Sequence, residues 1–340
     1  MIVLSLVLAF AGSVLALLLS GSLEEAQEGI EPWPDETVEH GIVAEKEVPV
    51  PDTVALRGEI EEVVRRHEGT YGVAVLDPDS GTENSIGGDE QFMAASIGKL
   101  PVLATLYRAA ARGELDLQEE IPVLPEDIRD YGDGEIPEFP EEEFLTLRES
   151  AYRMINHSDN VAWSMLDRRL EAGRIRNELE QMGIANSWYS DDLLGYYTPP
   201  NDVILLVEKI SDPQFTSEEL SSEMLNAMTE THLEDRIPEK LPLEVRVAHK
   251  TGTYEDNIGD AGVVFYEDPR GVVKRYYLVV LAKGAGEEEV RDTIQSISQA
   301  VYEALTGTGL DPGWSRGKLY SSVLEEEILD QEGATEPYLP

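Results

Sequence analysis

The chain is organised around residues 92–103, FMAASIGKLPVL, in which an isolated serine is followed three residues later by a lysine. An apolar helical pattern continues from there. We predict that Ser96 begins this helix and that Lys99 shares its face, because positions i and i+3 are neighbours. The backbone N–H of Ser96 would then lie at the positive end of the helix dipole, where it can hold a developing oxyanion. A lysine whose pKa is lowered by other cations and partial burial can take the serine proton. The stretch therefore predicts an active centre.

A Ser-x-x-Lys pattern is weak evidence when it stands alone. The same pattern occurs a second time, at Ser315–Lys318 near the C-terminus. The structural alternative makes Ser96 a helix N-cap and Lys99 a solvated side chain. Other parts of the chain have to decide between the two interpretations.

The charge balance excludes two classes of partner. The 340 residues carry 26 lysines and arginines against 68 aspartates and glutamates, which gives a net charge of −42. Binding to phosphates needs the opposite sign, so we expect neither nucleic acid nor an anionic membrane surface as a partner. The absence of cysteine excludes disulfides, thiolate metal sites and a cysteine nucleophile. The five histidines lack metal-ligand spacing and no phosphate loop occurs, so we expect no metal and no cofactor.

Four regions differ in composition. Residues 1–22 contain an almost unbroken apolar run, which predicts a signal anchor or a cleaved signal peptide and membrane contact through residues 1–20. Residues 23–52 form an acidic, proline-containing linker. Residues 53–306 show the periodicity of a folded domain, and residues 307–340 form an acidic tail. This organisation predicts an extracytoplasmic protein that is either membrane-anchored or secreted.

The folded region predicts an α+β architecture. Strand patterns occur at its beginning and its end, at residues 70–76, 245–253, 261–266 and 273–281. Strands that follow one another through short turns pair antiparallel, so these strands and a short second strand after residue 81 predict one sheet of about five strands. The first and last helices would cover this sheet. Helical periodicity dominates the residues between, which predicts an all-helical subdomain.

The tripeptide Ser158-Asp159-Asn160 lies between two helical patterns in that subdomain. Serine, aspartate and asparagine all favour helix caps, so the structural interpretation is a corner between helices. In the functional interpretation, the Ser158 hydroxyl relays a proton and the Asn160 amide holds a substrate carbonyl. His157 and His249 lie beside the motifs and are expected to pack around the site instead of binding metal.

Three motifs follow one another along the chain: Ser96-x-x-Lys99, then Ser158-Asp159-Asn160, then Lys250-Thr251-Gly252. Their order and spacing resemble the signature of class A β-lactamases and penicillin-binding proteins. The resemblance covers residues 53–306. It implies the β-lactamase/transpeptidase-like fold and a small-molecule substrate, a β-lactam or a cell-wall-peptide-like amide.

The resemblance also implies a role for each matching residue. Ser96 would be the acylated nucleophile, Lys99 its base or proton relay, and Ser158 the donor to the leaving nitrogen. The backbone N–H groups of Ser96 and Thr253 would form the oxyanion hole. The residues that would bind substrate are Asn160, Lys250, Thr251, Gly252, Thr253 and, at the pocket rim, Tyr131.

One departure from the family pattern concerns deacylation. Class A enzymes carry a loop glutamate that activates the hydrolytic water, but residues 186–199, NSWYSDDLLGYYTP, contain no glutamate. Asp191 or Asp192 would be the substitute, although an aspartate reaches one methylene less. We therefore expect acylation to be better supported than fast hydrolysis.

Three functions follow as hypotheses. The first is a β-lactamase-like serine hydrolase that opens cyclic amides through an acyl-enzyme on Ser96. The second is a penicillin-binding D,D-peptidase-like or other amidase or esterase that releases its acyl group slowly. The third, from a different class, is an anchored binding module without catalysis. An α/β-hydrolase is not favoured, because no strand leads directly into Ser96.

Overall fold

The computed structural model describes residues 51–128, 144–189, 195–229, 231, 233–311 and 313–317. The predicted N-terminal segment 1–22, nearly all of the linker and most of the acidic tail lie outside these residues. Within the described part of the chain, none of the helices has the length and apolar character needed to cross a membrane.

The centre of the fold is a five-stranded antiparallel sheet in the order β2-β1-β10-β9-β8. Its strands are β1 Thr70–Asp77, β2 Thr82–Ile86, β8 Arg246–Tyr254, β9 Asn257–Glu267 and β10 Val273–Lys283. The three central strands are rich in β-branched residues and are buried almost throughout, as expected for strands covered on both faces. Strand β8 lies at the edge of the sheet and pairs with β9, and its His249 N–H donates to the carbonyl of Met228 at 2.8 Å. The sheet and the α+β class predicted from the sequence are confirmed.

The first and last helices cover one face of this sheet. Helix α1 (Thr53–Arg65) begins at Asp52, whose Oδ1 accepts from the backbone N–H groups of Val54 and Ala55 at 3.0 Å. Its buried side chains join those of the last helix and of the strands in one apolar cluster. Burial of apolar area, at about 25 cal/mol per Å², is the main force that holds the helices on the sheet.

The remaining helices lie between β2 and β8 in sequence. They are α2 Lys99–Ala111, α3 Leu147–Asn156, α4 Asn160–Leu170, α5 Ala172–Met182, α6 Pro200–Ser211 and α7 Glu218–Ala227. The last helix of the chain, which covers the sheet with α1, is α8 Glu287–Thr306. Helix α2 is buried on nearly all sides, and α3 to α7 pack around it. Two small sheets accompany these helices: β3 (Phe92–Met93) with β7 (Tyr196–Thr198) and β6 (Trp188–Tyr189), and β4 (Glu120–Pro122) with β5 (Phe144–Thr146).

The start of the central helix differs from the prediction. A 3₁₀ turn spans Ala95–Gly98, and the α-helix begins at Lys99 instead of Ser96. The positive φ of Ala95, 48°, does not fit an α-helix, so the chain enters through the tighter turn. Pro101 falls in the first helical turn, where its missing N–H is tolerated.

Candidate active site

Three side chains from the first two motifs meet in one cluster. The Lys99 ammonium donates to Ser96 Oγ at 3.1 Å and to Ser158 Oγ at 3.0 Å. Ser158 Oγ in turn donates to Ser96 Oγ at 3.1 Å. Lys99 also donates to the backbone oxygen of Ser158 at 2.5 Å. A proton can therefore pass between any two of the three groups without a bridging water.

Two residues with positive φ hold this cluster. Ala95 (φ 48°) precedes the nucleophile candidate, and Ser158 itself has φ 55°. Such a conformation costs a residue with a Cβ about 1–2 kcal/mol, so it persists only where the surroundings impose it. One support is visible before the turn, where the N–H of Ala94 donates to the carbonyl of Tyr196 in β7 at 2.8 Å.

Lys99 is fully buried, and one wall around it is aromatic. Its side chain is 0% exposed, and Nζ lies 5.2 Å from the centroid of the Trp163 ring. The indole Nε1 of Trp163 is buried and makes no hydrogen bond within the described residues. The ring face favours a cation at this position. Sequence reasoning missed Trp163, although its position three residues after Asn160 places both on one side of α4.

The Ser158-Asp159-Asn160 tripeptide is both a helix corner and a part of the site. Asp159 is the N-cap of α4, and its Oδ1 accepts from the backbone N–H groups of Val161 and Ala162 at 2.8 and 2.9 Å. Asn160 is the first residue of that helix. The cap fixes the direction in which the chain leaves Ser158, so the predicted corner between helices is present, and the roles of Ser158 as a proton relay and of Asn160 as a substrate ligand stay predictions.

The third motif lies on strand β8, which packs directly against the turn that carries Ser96. A Cβ placed on Gly252 would come within 2.5 Å of the Ala94 carbonyl oxygen and 3.2 Å of the Ile97 nitrogen. Only glycine permits this approach. Lys250 and Thr251 precede it on the same strand and are 2% and 4% exposed. The fold therefore brings all three motifs to one place.

A buried arginine supports the end of β8. Arg236, 1% exposed, donates to the carbonyl of Gly252 at 2.9 Å, to that of Gly259 at 2.5 Å and to Thr253 Oγ1 at 2.5 Å. Burial lowers the pKa of Arg236, and the carboxylates of Asp260 and Asp235 oppose that shift. Sequence reasoning missed this residue, because nothing in the residues around it indicates a contact with a strand that begins ten positions later.

His249 lies beside the third motif and is also fully buried. Both ring nitrogens contact carboxylates, Nδ1 that of Asp260 and Nε2 that of Glu234. Burial alone would lower the pKa of His249, but the charge of Asp260 and the hydrogen bonds to both carboxylates raise it to about 10. The ring is therefore an imidazolium at neutral pH. Among the described residues, no group of three or more histidines and carboxylates has the arrangement of a metal site.

Three predicted site residues, Tyr131, Asp191 and Asp192, lie outside the described residues. The described ends of the loop that holds the two aspartates are joined by a stacked aromatic pair. The rings of Trp188 in β6 and Tyr197 in β7 are 4.4 Å apart at 11°.

Comparison with known proteins agrees with this arrangement. A family described as "Beta-lactamase enzyme family" matches residues 55–305. The chain belongs to the β-lactamase enzyme family. The family resemblance and the β-lactamase/transpeptidase-like fold read from the three motifs are thereby confirmed.

The chain's relatives within this family are distant in sequence. The extended-spectrum β-lactamase PER-1 of Pseudomonas aeruginosa is 24% identical over 268 residues, which cover 73% of this chain and 86% of PER-1. β-Lactamase VEB-1, also of Pseudomonas aeruginosa, is 25% identical over 229 residues, which cover 60% of this chain and 76% of VEB-1.

Two solved structures share this fold over 77% of this chain. PBP-A superposes with a TM-score of 0.69 at 27% identity, covering 77% of this chain and 100% of PBP-A. A β-lactamase from Sphaerobacter thermophilus superposes with a TM-score of 0.68 at 22% identity, covering 77% of this chain and 100% of its own.

Proposed function

We propose that this family member is a serine hydrolase that opens β-lactam-type cyclic amides through a covalent acyl-enzyme on Ser96. The observation that carries the proposal is the three-way contact of Ser96, Lys99 and Ser158 at 3.0–3.1 Å. A serine needs an adjacent base to become a nucleophile, and Lys99 Nζ lies 3.1 Å from Ser96 Oγ, within reach of its proton. The solved acyl-enzyme complex of a mutant of PBP-A with penicillin G supports the same chemistry here.

The reaction has two steps. In the first, Ser96 Oγ attacks the lactam carbonyl while Lys99 takes the hydroxyl proton, and a tetrahedral oxyanion forms. The backbone N–H groups of Ser96 and Thr253 would hold that oxyanion. The C–N bond then breaks, Ser158 passes its proton to the leaving nitrogen and regains one from Lys99 across their 3.0 Å contact, and a ring-opened ester remains on Ser96. In the second step, water hydrolyses the ester, releases the acid and restores the serine hydroxyl.

Substrate binding falls to the β8 strand and the start of α4. Lys250 would bind the substrate carboxylate, and Thr251 would add a hydrogen bond to it. Asn160 would hold the substrate amide, and Gly252 lets the strand approach close enough for these contacts. Tyr131, Asp191 and Asp192 stay predictions, the first for the pocket rim and the other two for deacylation.

A nitrocefin assay tests the first step. We expect a Ser96-dependent colour change, and an equal rate in the wild type and Ser96→Ala would end the proposal. Lys99→Met would serve as a second variant, since it fills the same space without a base.

A second candidate function is a D,D-peptidase-like or other amidase with slow acyl release. It is favoured by one observation, the absence of any glutamate in residues 186–199. Time-resolved intact mass after penicillin G separates the two functions. A persistent adduct on Ser96 favours the slow enzyme and rapid loss favours the β-lactamase, whereas no adduct with any acylating probe favours a non-catalytic binding module.

We propose that the enzyme works outside the cytoplasm, where substrates of this chemistry occur. The apolar run in residues 1–22 supports export, as a membrane anchor or a cleaved signal. Fractionation of cells that produce the full chain would test this, with the intact mass of the exported form reporting cleavage. Finding the chain in the cytoplasm would contradict it.

A further inference from the structure

A group of buried charges lies on the far side of the strand that carries Lys250. Side chains alternate between the two faces of a strand, so His249 points to the face opposite Lys250. His249 shares its face with Val247, which belongs to the apolar cluster beneath α1 and α8. Its cross-strand neighbour is Gly262, where a Cβ would lie only 2.6 Å from His249 Cβ. The glycine lets β9 lie this close to the backbone and Cβ of His249.

Both carboxylates that contact His249 are themselves fixed by the backbone. Asp260, 0% exposed, has both oxygens 2.9 Å from His249 Nδ1 and accepts from the N–H groups of Ile237 and Ala261 at 3.0 and 2.9 Å. Glu234 lies 3.2 Å from Nε2 and accepts from the N–H of Thr231 at 2.9 Å. The imidazolium thus joins β9 and the segment before β8 to β8 itself.

The charges in this group balance. His249 and Arg236 supply two positive charges, and Asp260 and Glu234 supply two negative charges. The charged groups around them are Asp235, Glu287, Arg291 and Arg316, again two of each sign. Loss of the proton from His249 would leave a net negative charge directly behind the strand that carries Lys250.

We propose that His249 is a positioning residue for the reaction. As an imidazolium it forms a charge-balanced cluster with Asp260, Glu234 and Arg236. This cluster fixes β8 and leaves the positive charge of Lys250 available to the substrate carboxylate. This inference rests on the proposed function, and it assigns His249 no contact with substrate. A neutral residue at 249 would make the cluster negative, and that charge would compete with the substrate for Lys250.

Charge-balanced variants test the inference. His249→Gln removes one positive charge, and His249→Gln with Glu234→Gln restores the balance. Glu234→Gln alone is the matched control, since it removes only a negative charge. The probes are penicillin G, which carries a carboxylate, and p-nitrophenyl acetate, which carries none. Acylation by penicillin G is followed by intact mass, and the Ser96-dependent reaction with the ester is followed by nitrophenolate release.

We expect His249→Gln to reduce the second-order rate of acylation by penicillin G about tenfold, which is the order of magnitude for a unit charge acting over about 10 Å at an effective dielectric constant of about 20. The loss should lie in binding, with the limiting rate of acylation nearly unchanged. The ester should react at nearly the wild-type rate. The double variant should recover most of the loss, and Glu234→Gln alone should show none. Equal losses with both probes, no recovery in the double variant, or no loss at all would overturn the inference.

A pH measurement on the wild type keeps the inference testable if His249→Gln does not fold. The apparent dissociation constant for penicillin G should rise as the pH passes through about 10, while circular dichroism still reports the native fold. In Glu234→Gln this rise should come at lower pH, because one carboxylate no longer supports the imidazolium. A rise at the same pH in both proteins would overturn the inference. A wild type that penicillin G never acylates would instead refute the proposed function.

Discussion

In Gly252→Ala, a single added methyl group should move strand β8 away from the turn that carries Ser96. That methyl would lie 2.5 Å from the Ala94 carbonyl oxygen, whereas ordinary contacts begin at 3.4 Å, so β8 or the Ser96 turn must move by about 0.9 Å. Gly252 has a negative φ that alanine adopts freely, and the close contact is therefore the whole perturbation. A misplacement of about 1 Å costs about 100-fold in rate when it separates reacting groups.

The cost in stability should be smaller than the cost in rate. Overpacking costs about 1–3 kcal/mol, and β8, at the edge of the sheet, pairs with a single neighbouring strand, β9. We expect the melting temperature of Gly252→Ala to fall by roughly 2–10 °C. The second-order rate of acylation by penicillin G, followed by intact mass, should fall about 100-fold.

Gly58→Ala is the matched control for this experiment. A Cβ on Gly58 meets no atom within 4 Å, and the residue lies in helix α1, away from the site. Alanine should stabilise the helix by about 0.5–1 kcal/mol and leave acylation unchanged. If Gly252→Ala is acylated within twofold of the wild-type rate, the close approach of β8 does not position the reacting groups, and the account of the site is wrong.

Three further predictions use other contacts of the same region. Ser158→Ala removes the hydroxyl contacts to Lys99 at 3.0 Å and to Ser96 at 3.1 Å but keeps the backbone oxygen that accepts from Lys99. The acylation rate, followed by intact mass, should therefore fall about 10²–10⁴-fold. A smaller loss would argue against a proton relay. Trp163→Leu removes the aromatic ring beside Lys99, whose interaction with the lysine cation formed during acylation is worth about 0.5–2 kcal/mol. This variant should therefore be acylated more slowly than Trp163→Phe, and equal rates in the two variants would contradict the prediction. The pKa of His249 is raised from 6.5 to about 10, so its contribution to stability is complete below pH 6.5 and is lost as the pH rises through 10. Between these values the free energy of unfolding in urea should fall by about 1.4 kcal/mol per pH unit, and His249→Gln should remove that slope.

The predictions from sequence succeeded where the determining interactions are local. The strands near both ends of the domain and the helices between them follow from periodicity and turn chemistry within short windows. They failed at the start of α2, because the positive φ of Ala95 is imposed by the packing of β7 and β8 around the turn. Neither strand is near that turn in sequence.

The sequence by itself determined the fold class and the order of three motifs, since the pattern of apolar and polar residues predicts the first and the residue types at fixed spacings define the second. Only the tertiary structure decided that Ser96, Lys99 and Ser158 touch, that β8 approaches to the limit set by Gly252, and that His249 lies between two carboxylates. The physical reason is that hydrogen bonds, close contacts and charge interactions depend on distances between atoms of segments that are far apart in sequence. Their partners are set by how distant segments pack, and local propensity does not contain that information.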